Sequence, residues 1–368
     1  MALSKILPAS QEQYVGARNL IINGNVACSQ RATSATSITS NGYHTVDRWN
    51  VNFDGAALSH KQEQSTDTPN GFGYSLKITA TTQDASLDAN QNYQLDQRFE
   101  GQNLQQLKKG TSDAQSVTLS FWVKSSLTGI FICAFNDLDT SGQRTVSGSY
   151  TINLANTWEY KTITFPPDTT GAFNNDNGLS ARLIFCLAAG SNFTTGTLAT
   201  TWEASSGGVN TYVGQTNLFA TLNATWQVTG IQLEIGDVAT PFEHKSYDEQ
   251  YQLCRRYYEK FDFAAGTSVH GAAQQNNQLE CMFFFYPKRT SPTVSVNNGT
   301  YYRVNNWAGG DEQCNGTVNV STATDFPYQS TRLQFQKNTG NLTVGNAGYM
   351  NKQGGAAADP ILYVDAEL

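Results

Sequence analysis

The amino-acid sequence predicts an all-β protein that consists of an antiparallel sandwich, one short connecting helix and a second, smaller C-terminal β-domain. Apolar residues recur at every second position in several runs, so Val117, Leu119, Phe121 and Val123 would share one face of a strand. Breaks rich in Gly, Asn and Ser separate these runs, as turns separate antiparallel strands. Helical periodicity occurs in one segment, which places the helix between the two β-domains.

The beginning of the chain is predicted to form an N-terminal attachment arm over residues 1–17. Pro8 interrupts any helix there, and Gly16 precedes the first strand pattern. The segment is too short to bury a core of its own. We therefore expect it to be held by another protein.

Residues 18–245 carry the strand patterns of the sandwich. The first pattern starts at Asn19 and ends in the turn pair Asn23 and Gly24. One sandwich accounts for the whole segment, because all-β domains reach this length. The predicted strands are NLIING, YSLKIT, SVTLSFWVKS, GIFICAF, EYKTITF, ARLIFCLAA and WQVTGIQLEIG.

The segment 246–260 is predicted to be a connecting helix, with its helical residues at 247–260. Ser246 and Glu249 have the spacing of a capping box, in which each side chain bonds the backbone N–H of the other residue. A helix this short needs tertiary packing to be stable. Its apolar stripe consists of Tyr247, Tyr251, Cys254 and Tyr258.

Residues 261–368 are predicted to form the distal β-domain, because strand patterns return after the helix. Pro287 ends the most apolar of these patterns. The predicted strands are QLECMFFFYP, PTVSV, TRLQFQK, NLTVG and ILYVDAEL.

Composition and charge exclude several classes of partner. The 368 residues include 14% charged residues and carry a net charge of -7, so the chain has no basic footprint for nucleic acid. No apolar run approaches the roughly 20 residues of a membrane-spanning helix. The N-terminal sequence lacks the apolar core of about 7–15 residues that a secretory signal needs, so we expect synthesis in a cytoplasm.

The six cysteines are predicted to be buried free thiols. None forms a Cys-x-x-Cys pair, so neither a zinc site nor a disulfide framework is expected. They are Cys28, Cys133, Cys186, Cys254, Cys281 and Cys314.

Four blocks of sequence resemble bacteriophage tail-fibre and related virion proteins, which carry a jelly-roll domain similar to carbohydrate-binding modules. The resemblance covers about residues 18–260, with looser similarity in FFFYPKRTSPTVSV and ILYVDAEL. The sequence departs from the family's usual Gln-Arg-Gly at Ala32, and it has His44–Trp49 where the family usually has TADRW. The blocks are RNLIINGNVACSQRATS, GYHTVDRWNV, VTLSFWVKSS and VTGIQLEIGDVATPFEHKSYDEQYQLCRRYY.

The resemblance implies a jelly-roll in residues 18–245 and a non-enzymatic subunit of a tail or head fibre in the virion. Such a subunit would bind other virion proteins through residues 1–17 and a host-surface polysaccharide through its variable loops. The position on the particle stays open. A purely structural decoration or adaptor protein is the alternative. A capsule-degrading enzyme is a third hypothesis, for which Asp137 and Asp139 are the paired carboxylates.

Loop aromatics are the predicted glycan contacts, because a sugar ring stacks on an exposed aromatic face. Trp49, Trp122 and Trp226 lie within the resembling blocks and are expected in the core. The predicted contacts are Trp202, Tyr301, Tyr302 and Trp307, which lie in loop-like surroundings.

No cofactor is predicted, and the metal site is left unassigned. Jelly-roll modules often hold a structural calcium ion through oxygen ligands, to which Glu234 or Asp237 would contribute here. The sequence has no dense Asp-x-Asp-x-Asp-Gly loop that would fix such a site.

A parallel homotrimer is the predicted assembly, since a fibre carries identical copies outward from a common base. The helix has a second apolar strip beside its stripe, and the CMFFFY run is apolar on both faces of a strand. A monomer whose strand is covered within the chain is the alternative. The predicted subunit contacts are Leu253, Tyr257, Phe283 and Phe285.

Overall fold

The computed structural model divides the chain into two compact units, Met1–Gln250 with Leu368 and Tyr251–Glu367. The predicted arm, residues 1–17, lies outside the described residues. Residue 306, residues 310–322 and residue 337 are described by their backbone alone. The described ranges are 18–54, 58–205, 208–263, 268–297, 302–306, 310–322, 328–337, 342–352 and 359–368.

The first unit contains twelve of the described strands and three short 3-10 helices. The 3-10 helices are Gly101–Asn103, Gln105–Leu107 and Leu218–Ala220. The strands are β1 (Ser34–Ile38), β2 (Asn50–Asp54), β3 (His60–Ser65), β4 (Ser75–Ala80), β5 (Asn92–Glu100), β6 (Val117–Ser125), β7 (Gly129–Asp137), β8 (Arg144–Ile152), β9 (Glu159–Phe165), β10 (Leu179–Ala189), β11 (Glu203–Ala204) and β12 (Thr225–Ile235).

These strands form two antiparallel six-stranded sheets. The first sheet has the order β1-β3-β4-β12-β6-β9, and the second has the order β11-β8-β7-β10-β5-β2. Eight of the strands, β4 to β10 and β12, give β4-β12-β6-β9 in one sheet and β5-β10-β7-β8 in the other. This is the strand order of a jelly-roll, in which two Greek keys share their central strands. The predicted fold class is therefore confirmed.

Alternating side chains of both sheets build the core of this unit. Trp49 and Trp226 are fully buried, and the ring of Phe185 lies 6.1 Å and 5.4 Å from theirs. Each indole N–H has an acceptor, since Trp49 Nε1 donates to the carbonyl of Asn23 at 3.3 Å and Trp226 Nε1 to the hydroxyl of Tyr150 at 3.1 Å. The expectation that Trp49 and Trp226 belong to the core is correct.

The predicted first strand, NLIING, does not form. The segment instead lies alongside an irregular part of β12, where the pairing with β6 shifts between Thr229 and Gln232. Leu20 N donates to Leu233 O at 2.9 Å, and Ile231 N donates to Gly24 O at 2.9 Å. Asn19 supplies its side-chain amide to the same strand. The segment thus satisfies backbone groups that the shifted ladder leaves without a partner.

Gly24→Ala is expected to destabilise the sandwich by about 1–3 kcal/mol, because a Cβ at Gly24 would lie 2.1 Å from Ile231 O. Urea denaturation of the full chain measures the effect. Gly73→Ala is the control, since a Cβ there meets nothing within 4 Å and should be neutral or slightly stabilising. Equal stability of the two variants would contradict the close approach at Gly24.

One α-helix is present in the described residues, α1 (Tyr247–Arg255), and its predicted capping box is confirmed. Ser246 N donates to Glu249 Oε2 at 2.8 Å, and Glu249 N donates to Ser246 Oγ at 3.3 Å. The hydrogen bonds from Ser246 hold the pKa of Glu249 below its ordinary value. No helix among the described residues is long and apolar enough to cross a membrane.

The predicted end of the helix at residue 260 is wrong. Tyr258–Asp262 is a strand, β13, which pairs antiparallel with Ile361–Asp365. A turn closes α1 first, since Tyr257 N donates to Cys254 O at 2.9 Å. Aromatic residues in YYEKFDF favour the strand, whose backbone groups then bond a segment distant in sequence.

The second unit combines a closed six-stranded antiparallel barrel with a three-stranded sheet. Its strands after β13 are β14 (Ser268–Gln275), β15 (Gln278–Phe284), β16 (Thr293–Val296), β17 (Tyr302–Asn306), β18 (Gly310–Thr322), β19 (Ser330–Lys337), β20 (Ala347–Lys352) and β21 (Ile361–Asp365). The barrel order is β14-β15-β19-β18-β17-β20, and the sheet order is β13-β21-β16. The predicted strand NLTVG does not form in the residues of it that the structure describes. Residues 342–346 form a turn before β20.

Candidate functional site

Two aromatic side chains lie in contact on the outer face of the first sheet, and a third directly precedes one of their strands. Trp122 on β6 pairs directly with Tyr160 on β9, and their ring centroids are 5.4 Å apart at an angle of 54°. Trp158 lies two residues before Tyr160, beside β9. Tyr160 is 45% exposed, and both tryptophans are partly exposed. We call Trp122, Trp158 and Tyr160 the aromatic platform.

The alternation of the two strands places these rings on the outside. Phe121 and Val123 point into the core from β6, so Trp122 between them points outward. On β9 the buried positions are Ile163 and Phe165, and Tyr160 has the opposite parity. Trp122 and Tyr160 are therefore fixed by regular strands, which position side chains more accurately than loops do, and Trp158 directly precedes β9.

A carboxylate organises the polar edge of the platform. Asp67 accepts hydrogen bonds from Lys124 Nζ at 2.6 Å, Trp158 Nε1 at 3.2 Å and Gln227 Nε2 at 3.3 Å. The bond from Lys124 is the largest cause that holds the pKa of Asp67 below its ordinary value. Lys124 Nζ also lies 5.8 Å from the centroid of the Trp158 ring. Trp158 is thus held in place by a group that stays charged at neutral pH.

This arrangement suits a ligand that has both an apolar face and hydroxyl groups. Aromatic rings bind apolar faces with little loss of side-chain entropy, because they have two rotatable bonds. The carboxylate, ammonium and amide beside them are donors and acceptors for hydroxyls. A pyranose ring has such a C–H face and such hydroxyls.

Two of the predicted glycan contacts are integrated into the fold. Trp202 is half-buried against Phe135, with ring centroids 5.7 Å apart, and its Nε1 donates to Pro166 O at 2.8 Å. Tyr302 is fully buried in the barrel, where its hydroxyl donates to Asn297 Oδ1 at 3.1 Å. The interpretation of Tyr302 as a surface contact is therefore corrected by its burial.

The other predicted contacts, Tyr301 and Trp307, lie outside the described residues. Trp122 was instead expected in the core, and the structure places it on the surface. The signal for this position was present in the sequence, since Trp122 has the opposite parity to Phe121 and Val123.

The paired carboxylates Asp137 and Asp139 hold a turn. Asp137 is fully buried and accepts from Lys109 Nζ at 2.6 Å and from the backbone N–H of Asp139 at 2.9 Å. Asp139 accepts from the backbone and side-chain amides of Asn174, both at 2.9 Å. These contacts occupy the two groups within the chain, as is common for Asp in turns.

The oxygens of Glu234, a predicted calcium ligand, are occupied by its own chain. It accepts from Thr240 N at 2.8 Å, Thr240 Oγ1 at 2.6 Å and Gln232 Nε2 at 2.8 Å. Asp237, the other predicted ligand, is exposed. In the part of the chain that the structure describes, no group of three or more His, Cys, Asp or Glu residues is placed to hold a metal ion.

The predicted subunit contacts are buried to different degrees. Tyr257 and Phe285 are buried, whereas Leu253 and Phe283 are partly exposed. The most exposed apolar residues of β15 are its neighbours Phe284 (64%) and Met282 (40%). Any contact through this strand would thus involve Met282 and Phe284, and the homotrimer stays a prediction.

No family model and no curated protein matches the chain. Several solved structures are similar to the chain, at low sequence identity. One is the tailspike protein 4 enzymatically active domain of bacteriophage CBA120, at 11% identity with a TM-score of 0.31. The match covers 59% of this chain and 21% of that chain, so this chain spans about a fifth of the tailspike domain.

Two further similar structures are described as ligand complexes. TmCBM61 in complex with beta-1,4-galactotriose has 10% identity and a TM-score of 0.30, over 60% of this chain and 99% of that chain. A family 11 carbohydrate-binding module from Clostridium thermocellum, in complex with a beta-1,3-1,4-mixed-linked tetrasaccharide, has 12% identity and a TM-score of 0.29. That match covers 58% of this chain and 99% of the module.

Proposed function

We propose that this chain is a glycan-binding subunit of a bacteriophage virion fibre and that the aromatic platform contacts the glycan. The platform is the observation that carries the proposal. Trp122 and Tyr160 pack against each other and leave ring surface in contact with solvent on regular strands of one sheet. A saccharide would cover that surface with the C–H face of one ring.

The polar edge gives the platform its selectivity for a hydroxylated ligand. Asp67, Lys124 and Gln227 are already joined by hydrogen bonds, so they are ordered before a ligand arrives. Preorganised groups lose little entropy on binding. Hydroxyls that bridge Asp67 and Lys124 would fix how the sugar lies on the rings.

The virion role rests on the four sequence blocks that resemble tail-fibre and related virion proteins. In this proposal residues 1–17 anchor the subunit to other virion proteins, three copies associate in parallel, and the bound glycan is a host-surface polysaccharide. The chain acts as a non-enzymatic adhesin. The same blocks also suit a structural decoration of the particle, which would have no need of the platform.

Trp122→Ala together with Tyr160→Ala is expected to weaken binding of the full chain to host cells by about 30-fold or more, since a central aromatic contact contributes about 2 kcal/mol or more. Binding of the labelled protein to cells and to extracted surface polysaccharide measures the loss. The melting temperature should change little, because both rings lie outside the core.

Tyr328→Ala is the matched control, because Tyr328 is also an exposed aromatic (49%) but belongs to the second unit. Its cell binding should equal that of the wild-type protein. Unchanged binding of the double variant would refute the platform as the contact. Wild-type protein that binds no cells, while particles that lack it lose stability, would establish the decoration role, and release of saccharide products would establish an enzyme.

A further inference from the structure

Two arginines face each other on the outer surface of the second sheet. Arg182 on β10 pairs directly with Arg98 on β5. Directly opposed side chains of like charge destabilise a sheet. The inward-facing neighbours, Leu183 and Phe99, are buried in the core, so both arginines point away from it. The pair lies on the other sheet from the aromatic platform.

The side chain of Arg182 makes no hydrogen bond or ion pair with any residue in the described ranges, and its Nε is buried. A guanidinium held partly out of water without an acceptor costs free energy. Arg98 has partners, since its Nε donates to Asp96 Oδ1 at 3.2 Å and its guanidinium also bonds Leu368 O. The carboxylate of Asp96 lies near both arginines and accepts a hydrogen bond from Arg98 alone of the two.

Three arginines, Arg48, Arg98 and Arg182, lie near one another in a chain whose net charge is -7, and β5 also carries the carboxylates of Asp96 and Glu100. Asp96 lies two residues before Arg98 on β5, is fully buried and accepts from Asn50 Nδ2 at 3.0 Å. Burial raises the pKa of Asp96, although Arg98 and Arg182 each lower it. Arg48, also buried, donates to the carbonyl of Arg98 at 2.6 Å and adds a third positive charge.

Another polar side chain on this face has an oxygen atom that accepts no hydrogen bond from the part of the chain that the structure describes. Gln94 lies two residues before Asp96 on β5, so its side chain is on the same face. Its Oε1 is buried and has no partner among the described residues, whereas its Nε2 donates to Asn92 Oδ1 at 2.9 Å. An amide oxygen accepts hydrogen bonds from hydroxyls. Gln94 lies four residues from Arg98, about 13 Å along the strand, so it is a separate polar group on this face and not part of the arginine pair.

We infer that the Arg98 and Arg182 pair binds an oxyanion, the carboxylate or phosphate of an acidic saccharide. Guanidinium groups bind carboxylate and phosphate through two parallel N–H···O bonds, and this is the partner that Arg182 lacks. The oxyanion would offset the repulsion between the opposed arginines. The saccharide part of the inference rests on the proposed glycan-binding function, whereas the oxyanion part does not.

The test is calorimetric titration of the full chain with three probes: trigalacturonate, neutral galactotriose of the same length, and inorganic phosphate. Arg182→Gln is expected to weaken binding of the anionic probe about tenfold or more, and Arg182→Lys should weaken it less because the charge remains. Raising the salt concentration should weaken the same binding. Arg332→Gln, which removes a partly exposed arginine of the second unit, is the charge-matched control and should leave anion binding unchanged.

Binding of trigalacturonate in preference to phosphate would assign the carboxylate, and the reverse preference would assign phosphate. Equal affinity of wild type and Arg182→Gln for both anions, or no anion binding by the wild type, would overturn the site. The platform variant Trp122→Ala separates this result from the proposed function. It should reduce binding of the neutral sugar to the platform and leave phosphate binding unchanged.

Discussion

Replacement of Lys109 by methionine is expected to lower the free energy of unfolding of the sandwich unit by about 3–5 kcal/mol, the cost of breaking a buried ion pair by removing one partner. Lys109 Nζ lies 2.6 Å from Asp137 and 3.1 Å from Asp168, and all three side chains are buried. It also donates to the carbonyls of Thr170 and Gly171. Methionine keeps the volume and removes the charge that pairs with Asp137, whereas Asp168 keeps its ion pair with Arg144 at 2.7 Å.

Urea denaturation of the full chain, followed by tryptophan fluorescence, measures the loss. Lys61→Met is the control, because the Lys61 and Glu63 pair is partly solvated and should contribute at most about 1 kcal/mol. Adding Asp137→Asn to Lys109→Met should recover part of the stability, since it removes the carboxylate that Lys109→Met leaves without a cation. Equal losses for Lys109→Met and Lys61→Met would show that the buried cluster contributes no more than a surface pair.

Acidification from pH 7 to pH 4 is expected to destabilise the sandwich unit by about 3 kcal/mol through His60 alone. His60 is fully buried, and neither ring nitrogen has a partner among the described residues. The rings of Tyr93 and Phe53 lie 5.0 Å and 6.1 Å away. Burial, followed by the charge of His44, lowers the pKa of His60 from 6.5 to about 3.

The direction follows from which state binds the proton. Between about pH 6.5 and pH 3 the unfolded chain binds a proton on His60 and the folded chain does not, so stability falls with falling pH across this range. His60→Leu should remove this part of the pH dependence, measured as the change in unfolding free energy between pH 7 and pH 4. His270→Gln, which alters an exposed histidine, should retain it. An equal loss in wild type and His60→Leu would exclude His60 as the cause.

The fold class could be predicted from the sequence because the residues of a sandwich strand alternate between core and solvent within the strand itself. Runs such as SVTLSFWVKS and ARLIFCLAA became β6 and β10 because alternation and apolar content act over a few residues. The end of α1 at Arg255 could not be predicted from a local sequence pattern. It depends on β21, a strand distant in sequence, whose backbone takes up the hydrogen bonds of Tyr258–Asp262.

The candidate site was only partly accessible from the sequence. The alternation of residues along β6 indicated that Trp122 points outward. The resemblance of the surrounding block to virion proteins instead favoured a position in the core. The contact of Trp158 with Asp67 joins residues that are 91 positions apart, so no local pattern indicates it. The opposed arginines needed the register of β10 on β5, which is set by the whole sheet.

The position of β12 between β4 and β6 determines when, during synthesis, the first sheet stops exposing unpaired strand edges. Its neighbours end at Ala80 and Ser125, whereas β12 begins only at Thr225. Until that strand leaves the ribosome, β4 and β6 each present an unpaired edge that other chains can join. Fragments that stop before Thr225 would therefore need a chaperone, and release of the complete sandwich would be limited by this late, non-local insertion.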